Sequence, residues 1–535
     1  MDRQLRRGTA ARRKTKSTVR FIESLLIILV VLGAIFGCAW TVTGPLNLGA
    51  RITSWLEPPE AVSGAIEPSL VPEDQTETAE YILPTLRPTF TVTPIPLSTN
   101  TPTPPILYYT QAGDTALALA SRFDVEVTEI TSPNGPISDQ GLLNPGQLLL
   151  IPHRLDATTS SEQVLPDSEI VFSPSSLDFD IATYVRSTNG YLSTFQEWFT
   201  NGMNDGGQAI LKVSQNNSIN PRLLLALIEY QSHWVNGQPE NMAQIDFPVG
   251  HIDYTKKGLF LQLSWAVQQL NIGYYGWRDG RVTSITFKDG QSIRLAPDIN
   301  AGTAAMAYLL AQLYDQPNWA AAMYGPQSLP AMYESMFGSP WERAQAVEPL
   351  FPATLTQPPL ELPFRKGKFW SYTGGPHSAW GPDGARAALD FAPGTTEKGC
   401  YQSTDWVSAV ASGLVTRSEN GVVILDLDGD GFEQTGWTIL YLHIATEDRI
   451  APGTWVNVDD NIGHPSCEGG QATGTHVHIA RKYNGEWILA DGPMPFNLSG
   501  WRATADDELY HGTLVKDGEV IPSSLVGDFT SRIYR

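Results

Sequence analysis

The sequence predicts a multidomain chain: one membrane-spanning helix near the N-terminus, a small strand–helix–strand module, a mainly α-helical domain, and a C-terminal antiparallel β domain. Three observations carry that reading. At 535 residues the chain is too long for one hydrophobic core, and length alone suggests about three domains. The first 44 residues pair a basic segment with an apolar run. Downstream, hydrophobic spacing changes from helical periodicity before about residue 348 to short alternating strands after about residue 363.

The net charge of −21 and a pI near 4.8 exclude a nucleic-acid binder, because a polyanion would be repelled. Charge is polarised along the chain, with eight basic residues among the first twenty. Residues 1–24 therefore read as a basic cytoplasmic segment and 25–44 as an anchor, built on LLIILVVLGAIFGCAWTV from Leu25 to Val42. This predicts a membrane-anchored protein with a cytoplasmic N-terminus and everything else on the extracytoplasmic, cell-wall side. A cleaved signal peptide and acylation at Cys38 are the competing readings; Phe36 is bulky for the latter. Of three cysteines, Cys400 and Cys467 form the only exported pair, and that compartment permits a disulfide between them. The alternative is two buried thiols.

Residues 45–105 are rich in Pro and Thr, cannot bury a core, and read as an extended spacer. In 106–153, YYTQAGDTALALASRF predicts a strand, a turn and a helix with Asp114 as N-cap, and LLNPGQLLLIP a turn and a closing strand. Gly113-Asp114-Thr115, Asn134, Asn144-Pro145-Gly146-Gln147 and Ile151-Pro152 make this stretch resemble a LysM domain. The resemblance implies a βααβ module that binds N-acetylglucosamine-containing glycans such as peptidoglycan, with Gly113, Asp114, Thr115 and Asn134 as glycan-binding candidates.

After a polar linker at 154–178, residues 179–348 carry three strongly helical stretches, including PRLLLALIEYQSHW and GLFLQLSWAVQQLN. Gly258-Leu259 with Gln262, and Ala322 to Gly325, resemble the lysozyme-like lytic transglycosylases. That family places a catalytic Glu immediately before Ser at the end of the first helix; here Gln231 precedes Ser232 and cannot donate a proton. Glu229 lies on another side of the helix. The region reads as a degenerate, glycan-binding or structural unit.

Beyond a linker at 349–362, residues 363–501 alternate as short strands and hold five of the nine histidines. In GTHVHIARKYNG, strand alternation points His476 and His478 the same way. GGPHSAW adds His377, ALDFAP adds Asp390 and TILYLHI adds His443. Two histidines and an aspartate satisfy a catalytic zinc that keeps one position open, and two histidines remain for acid and base work. Gly374-Gly375-Pro376-His377, Leu389-Asp390, Tyr441 with His443, Cys467, and Gly474 to His478 resemble the lysostaphin-type, LytM-like zinc metallopeptidases, specifically their β-lytic branch. Most of that family places a His four positions before the Asp, where this chain has Arg386. The resemblance implies one Zn2+ held by His377, Asp390 and His478, with His476 as the proton acceptor and His443 stabilising the oxyanion.

Asp426, Asp428 and Asp430 alternate like a calcium loop, although position twelve of an EF-hand would be Trp437. A hairpin turn is the alternative reading. The extension 502–535 has no functional reading. The function expected is a bacterial zinc endopeptidase of peptidoglycan, membrane-held and wall-targeted; the rival is a non-catalytic wall-binding scaffold or hydrolase activator.

Overall fold

A computed structural model describes residues 103–535, apart from 139, 140, 200, 201, 353, 395 and 396. The expected basic segment, anchor and nearly all of the Pro/Thr spacer lie outside the described residues. Among those described, no helix is long and apolar enough to cross a membrane. They fall in one compact unit, Leu97–Arg535.

The first module pairs strand β1 (Ile106–Tyr109) with β2 (Leu148–Ile151) around helix α1 (Ala116–Phe123). Tyr108, Leu119, Phe123, Leu149 and Ile151 form its core. Two expectations need correction here. The second helical element is a single 3-10 turn, Val127–Glu129, where one β-branched Val-Thr step offers little helix propensity. The cap of α1 is Thr115, whose hydroxyl accepts from the Ala118 N–H, while Asp114 is turned inward.

The mainly α region is built on α2 (Pro221–Ser232), α3 (Leu259–Arg278) and α4 (Ala301–Ala311). Asn220 caps α2 and Pro221 occupies its first turn; Asn300 caps α4. Helix α2 is apolar nearly all round because it is buried on every side, Leu223 to Ile228 being fully covered. Close approach of α3 to α4 needs Gly273, since a Cβ there would sit 2.9 Å from the Ala305 Cα. Segment 154–178 is not a free linker: Val164, Leu165, Ile170 and Val171 insert into the same core, because burying such side chains is worth about 1.5–3 kcal/mol each.

In the β region the strands are β3 (Phe369–His377), β4 (Ala388–Pro393), β5 (Gly413–Glu419), β6 (Val422–Asp426), β7 (Trp437–Leu442), β8 (Trp455–Val456), β9 (Val477–Tyr483) and β10 (Glu486–Trp487). Past these come β11 (Asn497–Leu498), β12 (Trp501–Ala505), β13 (Gly512–Lys516), β14 (Glu519–Pro522) and β15 (Arg532–Tyr534). The main antiparallel sheet runs β8-β5-β6-β7-β9-β4-β3-β15, with β10 paired to β9. A smaller sheet runs β11-β12-β13-β14. Residues 502–535 are thus no appendage: they supply most of the small sheet and an edge strand of the large one.

Strand β6 reads as continuously apolar rather than alternating, and the packing explains why. Val422 and Ile424 face the helices, while Val423 and Leu425 face the other core, so both sides of the sheet are covered. Polar clamps join the regions. Arg278 at the end of α3 bonds Glu486 (3.0 Å), Asp167 (2.8 Å) and the Ala112 carbonyl, and the three charged side chains are buried. Removing one member of such a buried set costs about 3–5 kcal/mol, so the clamp defines the relative placement of three segments. Residues 349–362 are likewise built in, with Leu350, Leu360 and Leu362 buried.

Glu348, at the junction, accepts from the Ser168 N–H (2.8 Å), and burial with the Asp167 charge pushes its carboxyl up to about 7. A raised carboxyl contributes stability that is complete below its unfolded value and is lost as pH climbs through about 7. Glu348→Gln should therefore leave the stability at pH 4 nearly unchanged and raise it at pH 8, by about 2 kcal/mol after discounting for partial exposure. Thermal melts at the two pH values check this; an equal shift at both would refute it.

Candidate metal centre

Strand register assembles the site. Asp390 on β4 sits directly opposite His478 on β9, and Leu442 on β7 pairs with His478 from the other side. His443 therefore follows the strand end at the level of His478, and His476 precedes β9 by one residue. Strand β3 brings His377 alongside, opposite Ala388. Close packing here explains the paired glycines: a Cβ on Gly374 would lie 2.5 Å from Asp390 Oδ2, and one on Gly375 2.5 Å from the His511 backbone.

His377 Nε2 lies 3.0 Å from His478 Nδ1 and 3.3 Å from Asp390 Oδ1, and His478 Nδ1 lies 3.2 Å from the same oxygen. Ligands about 2.0–2.1 Å from a tetrahedral zinc stand roughly 3.3 Å from each other, so the spacing suits such an ion. Tautomers make the case stronger. His377 donates its Nδ1–H to the Gly375 carbonyl (2.8 Å), and His478 donates its Nε2–H to the Ala379 carbonyl (3.1 Å). Two bare ring nitrogens and a carboxylate oxygen without a hydrogen-bond donor then converge in a buried space. Three acceptors facing one another repel unless a cation lies between them, and the outward hydrogen bonds are those that orient metal-ligating imidazoles.

Burial acts to raise the Asp390 carboxyl, but His377 and His476 outweigh it and hold the group well below the usual carboxylate range. Burial lowers His478, and burial with the neighbouring imidazoles pushes His443 down to about 3. The His443 and His476 rings pack at a tilt of 55° with centroids 4.5 Å apart. Each donates Nδ1–H to a carbonyl, His443 to Glu468 (2.9 Å) and His476 to Gly474 (2.7 Å), leaving both Nε2 atoms as acceptors. His443 has φ +67, a left-handed backbone uncommon for a non-glycine and frequent where geometry serves a site.

Cys400 and Cys467 are joined in a disulfide with Cα atoms 5.6 Å apart. Cys467 precedes Glu468, which holds His443, and Gly399 accepts from the Thr475 N–H (3.0 Å) beside His476. The bridge thus pins both loops that carry this histidine pair. Closing a loop across a separation of 67 residues contributes about 4 kcal/mol in the chain-entropy account. The double Cys400→Ser, Cys467→Ser variant should melt markedly lower than the parent and match the reduced parent; equal melting temperatures would show the bridge to be dispensable.

Other candidates are placed as follows. Arg386 stands apart from the metal group, its carbonyl accepting from the Ala490 N–H. His464 is buried against Trp406, and Tyr441 takes the Val410 N–H. Asp426, Asp428 and Asp430 do lie together, yet their oxygens accept backbone N–H groups from Asp428, Gly429, Asp430, Gly431 and Phe432. That pattern is a turn held by aspartates, and the calcium expectation gains no support from it. In the first module, Asp114 is buried and accepts from Tyr108, Gln111 and Arg122, so it is structural rather than open to a glycan. Gly113 lies under the Arg278 guanidinium, and Asn134 is exposed. Gln231 is bonded to the Tyr314 hydroxyl, and Glu229 accepts from the Val235 and Asn236 N–H groups; neither is placed as a general acid. One residue went unforeseen. Tyr510, from the extension, stacks on His377 with centroids 4.1 Å apart. No local motif marks it, because a hairpin folding back across the sheet brings it there.

Fold and site define a metallopeptidase: an antiparallel sheet presenting two histidines and an aspartate to a metal, flanked by a second histidine pair. Residues 108–152 match the LysM domain family, and 163–351 match the family described as LasA, N-terminal domain. The chain is 26% identical over 311 residues to Protease LasA of Pseudomonas aeruginosa, covering 54% of this chain and 70% of that protein. It is 32% identical over 161 residues to the Beta-lytic metalloendopeptidase of Achromobacter lyticus, covering 28% of this chain and 39% of that one. The solved structure of pseudoalterin, a deep-sea M23 metalloprotease, is 25% identical, covers 34% of this chain and 100% of its own, and superposes with a TM-score of 0.28. The chain is a metalloendopeptidase similar to the LasA and β-lytic enzymes, and it carries a LysM domain.

Proposed function

We propose that the protein is a zinc endopeptidase that cuts peptide bonds of peptidoglycan, with the LysM domain bringing it to the wall and an N-terminal helix tethering it to the membrane. The observation that carries the reading is the trio of buried acceptors, His377 Nε2, Asp390 Oδ1 and His478 Nδ1, all within 3.3 Å of one another. Zinc held there supplies Lewis acidity, bringing the ionisation of water towards neutral pH and polarising the scissile carbonyl. The chain's own residues do the rest. His476, with Nε2 free and Nδ1–H held by Gly474, accepts the proton of the attacking water and passes it to the leaving amine. The bond from His443 to Glu468 leaves its Nε2 bare as well, and burial opposes a second proton. His443 is therefore assigned to accepting from and orienting the water, in place of the oxyanion role expected from the sequence. Tyr510 walls the site beside His377.

The direct test is zinc content of the full chain together with release of new amino groups from purified peptidoglycan. About one zinc per chain with amine release establishes the endopeptidase. Wall binding with neither zinc nor cleavage would leave the scaffold reading.

A further inference from the structure

The helical region and the metal ligands share one face of the main sheet. On β9, Val477 and Ile479 belong to the core of the β region, whereas Ala480 joins the helical core. On β4, Leu389 and Phe391 lie on the first side and Ala388 on the second. Ala480 pairs with Ala388, and two residues along the strands His478 pairs with Asp390. Side chains two apart point to the same face, so both ligands stand on the side that the helices cover. Leu442, opposite His478 on β7, is in the helical core as well.

The segment between His377 and Asp390 is seated on α3. Ala379, Ala385 and Ala387 are buried in the helical core, Gln268 donates to Asp383 (3.3 Å), and a Cβ on Gly384 would lie 3.5 Å from the Asn271 Cβ. Having no side chain, Gly384 lets the backbone come this close to the helix. The Ala379 N–H donates to the Ala385 carbonyl (2.9 Å), closing the segment on itself. The Ala379 carbonyl takes the His478 Nε2–H (3.1 Å), the bond that leaves Nδ1 bare. The register of β9 fixes where the His478 side chain starts, but ring rotation and tautomer follow from the carbonyl that it bonds. That carbonyl is held from the helical side.

We propose that the helical region is a working part of the metal centre: through the contact of Asn271 with Gly384, α3 positions the Ala379 carbonyl and so holds His478 in the orientation and tautomer that present Nδ1 to the ion. Asn271 is a positioning residue, since it touches neither metal nor substrate. This role rests on the zinc endopeptidase reading of the same site. It gives the region that matches the LasA N-terminal domain family a part in catalysis that needs no chemistry of its own, although Gln231 stands there in place of a general acid.

The test is Gly384→Val in the full chain, whose branched side chain meets Asn271 and the Ser378 hydroxyl and lifts the segment from α3. Zinc affinity, measured by competition with a chromogenic chelator, should fall about 10–100-fold, the usual worth of an interaction that orients a metal-ligating imidazole. Nitrogen-15 spectra of histidine-labelled, metal-free protein should show the His478 Nε2–H signal of the parent, assigned by its loss in His478→Ala, give way to a mixture of tautomers. Asn271→Gly alone, which empties the other side of the contact, should act in the same direction, and it decides if Gly384→Val does not fold. The double variant refills that space and should regain most of the affinity and the parent spectrum. Leu224→Ala, in α2 and packed chiefly among helices, should lower the melting temperature and leave both readouts unchanged, which separates positioning from loss of fold. Single variants equal to the parent, or a double variant no better than Gly384→Val, overturn the proposal. The two readings fail separately: a parent that binds no zinc but shows the tautomer shift sinks only the zinc endopeptidase, and zinc binding that neither single variant alters sinks only this role.

Discussion

His478→Ala should lose its bound zinc and its cleavage of peptidoglycan together. His478 supplies one of three acceptors, and its position is doubly determined, by pairing with Asp390 across β4 and by the bond to Ala379. Without it two ligands remain, too few for a tight site, and the transition-state stabilisation supplied by the ion, several kcal/mol, goes with it. A fall in amine release of roughly 10³-fold or more is expected. A ligand that binds only the folded state also raises the melting temperature. Chelator should therefore lower the melting temperature of the parent and leave His478→Ala unaffected. Asp390→Asn should behave alike, since a neutral amide cannot balance the ion's charge. Full zinc occupancy in either variant would show that the metal sits elsewhere.

His476→Ala and His443→Ala should separate what His478→Ala joins. Neither side chain is among the three converging ligand atoms, so both variants should retain about one zinc per chain. Cleavage should nonetheless fall about 10²–10⁴-fold, the usual contribution of a positioned acid–base group. The two need not be equal. In the proposed mechanism His476 carries the proton from water to leaving amine and His443 orients the water, and the double variant should be little worse than His476→Ala if they act as one unit. Metal analysis and amine release on the same preparations check this. Loss of zinc from His476→Ala would make it a ligand and overturn the assignment.

Much of this site was legible in the residues. His476 and His478 share a strand face by alternation alone, and the Gly-Gly-Pro-His segment and Leu-Asp pair pointed, through their resemblance to the β-lytic branch, to the other two residues that the fold brings beside His478. Helical periodicity marked the region before residue 348, and turn residues marked the strands after 363. Hydrophobic pattern survives as a local signal because it reports which faces are buried. The linkers were misread for the converse reason: Val164, Leu165, Leu360 and Leu362 are few among polar neighbours, and their burial depends on cores made elsewhere in the chain.

Other features are non-local and had no signature to read. Whether Asp114 binds a ligand or braces Arg122 depends on which way the loop turns, and the three calcium-like aspartates look the same in sequence whether they hold an ion or their own backbone. Tyr510 reaches His377 only because β12, β13 and β14 fold back over β3. By itself the sequence determined the kinds of group this protein brings to chemistry: two imidazole pairs, a carboxylate and a module of LysM type. Only the tertiary structure decided that three acceptors converge and which nitrogen of each histidine is bare. Those are matters of register, carbonyl direction and packing between segments far apart in the chain, and a hydrogen bond exists only once both partners are placed.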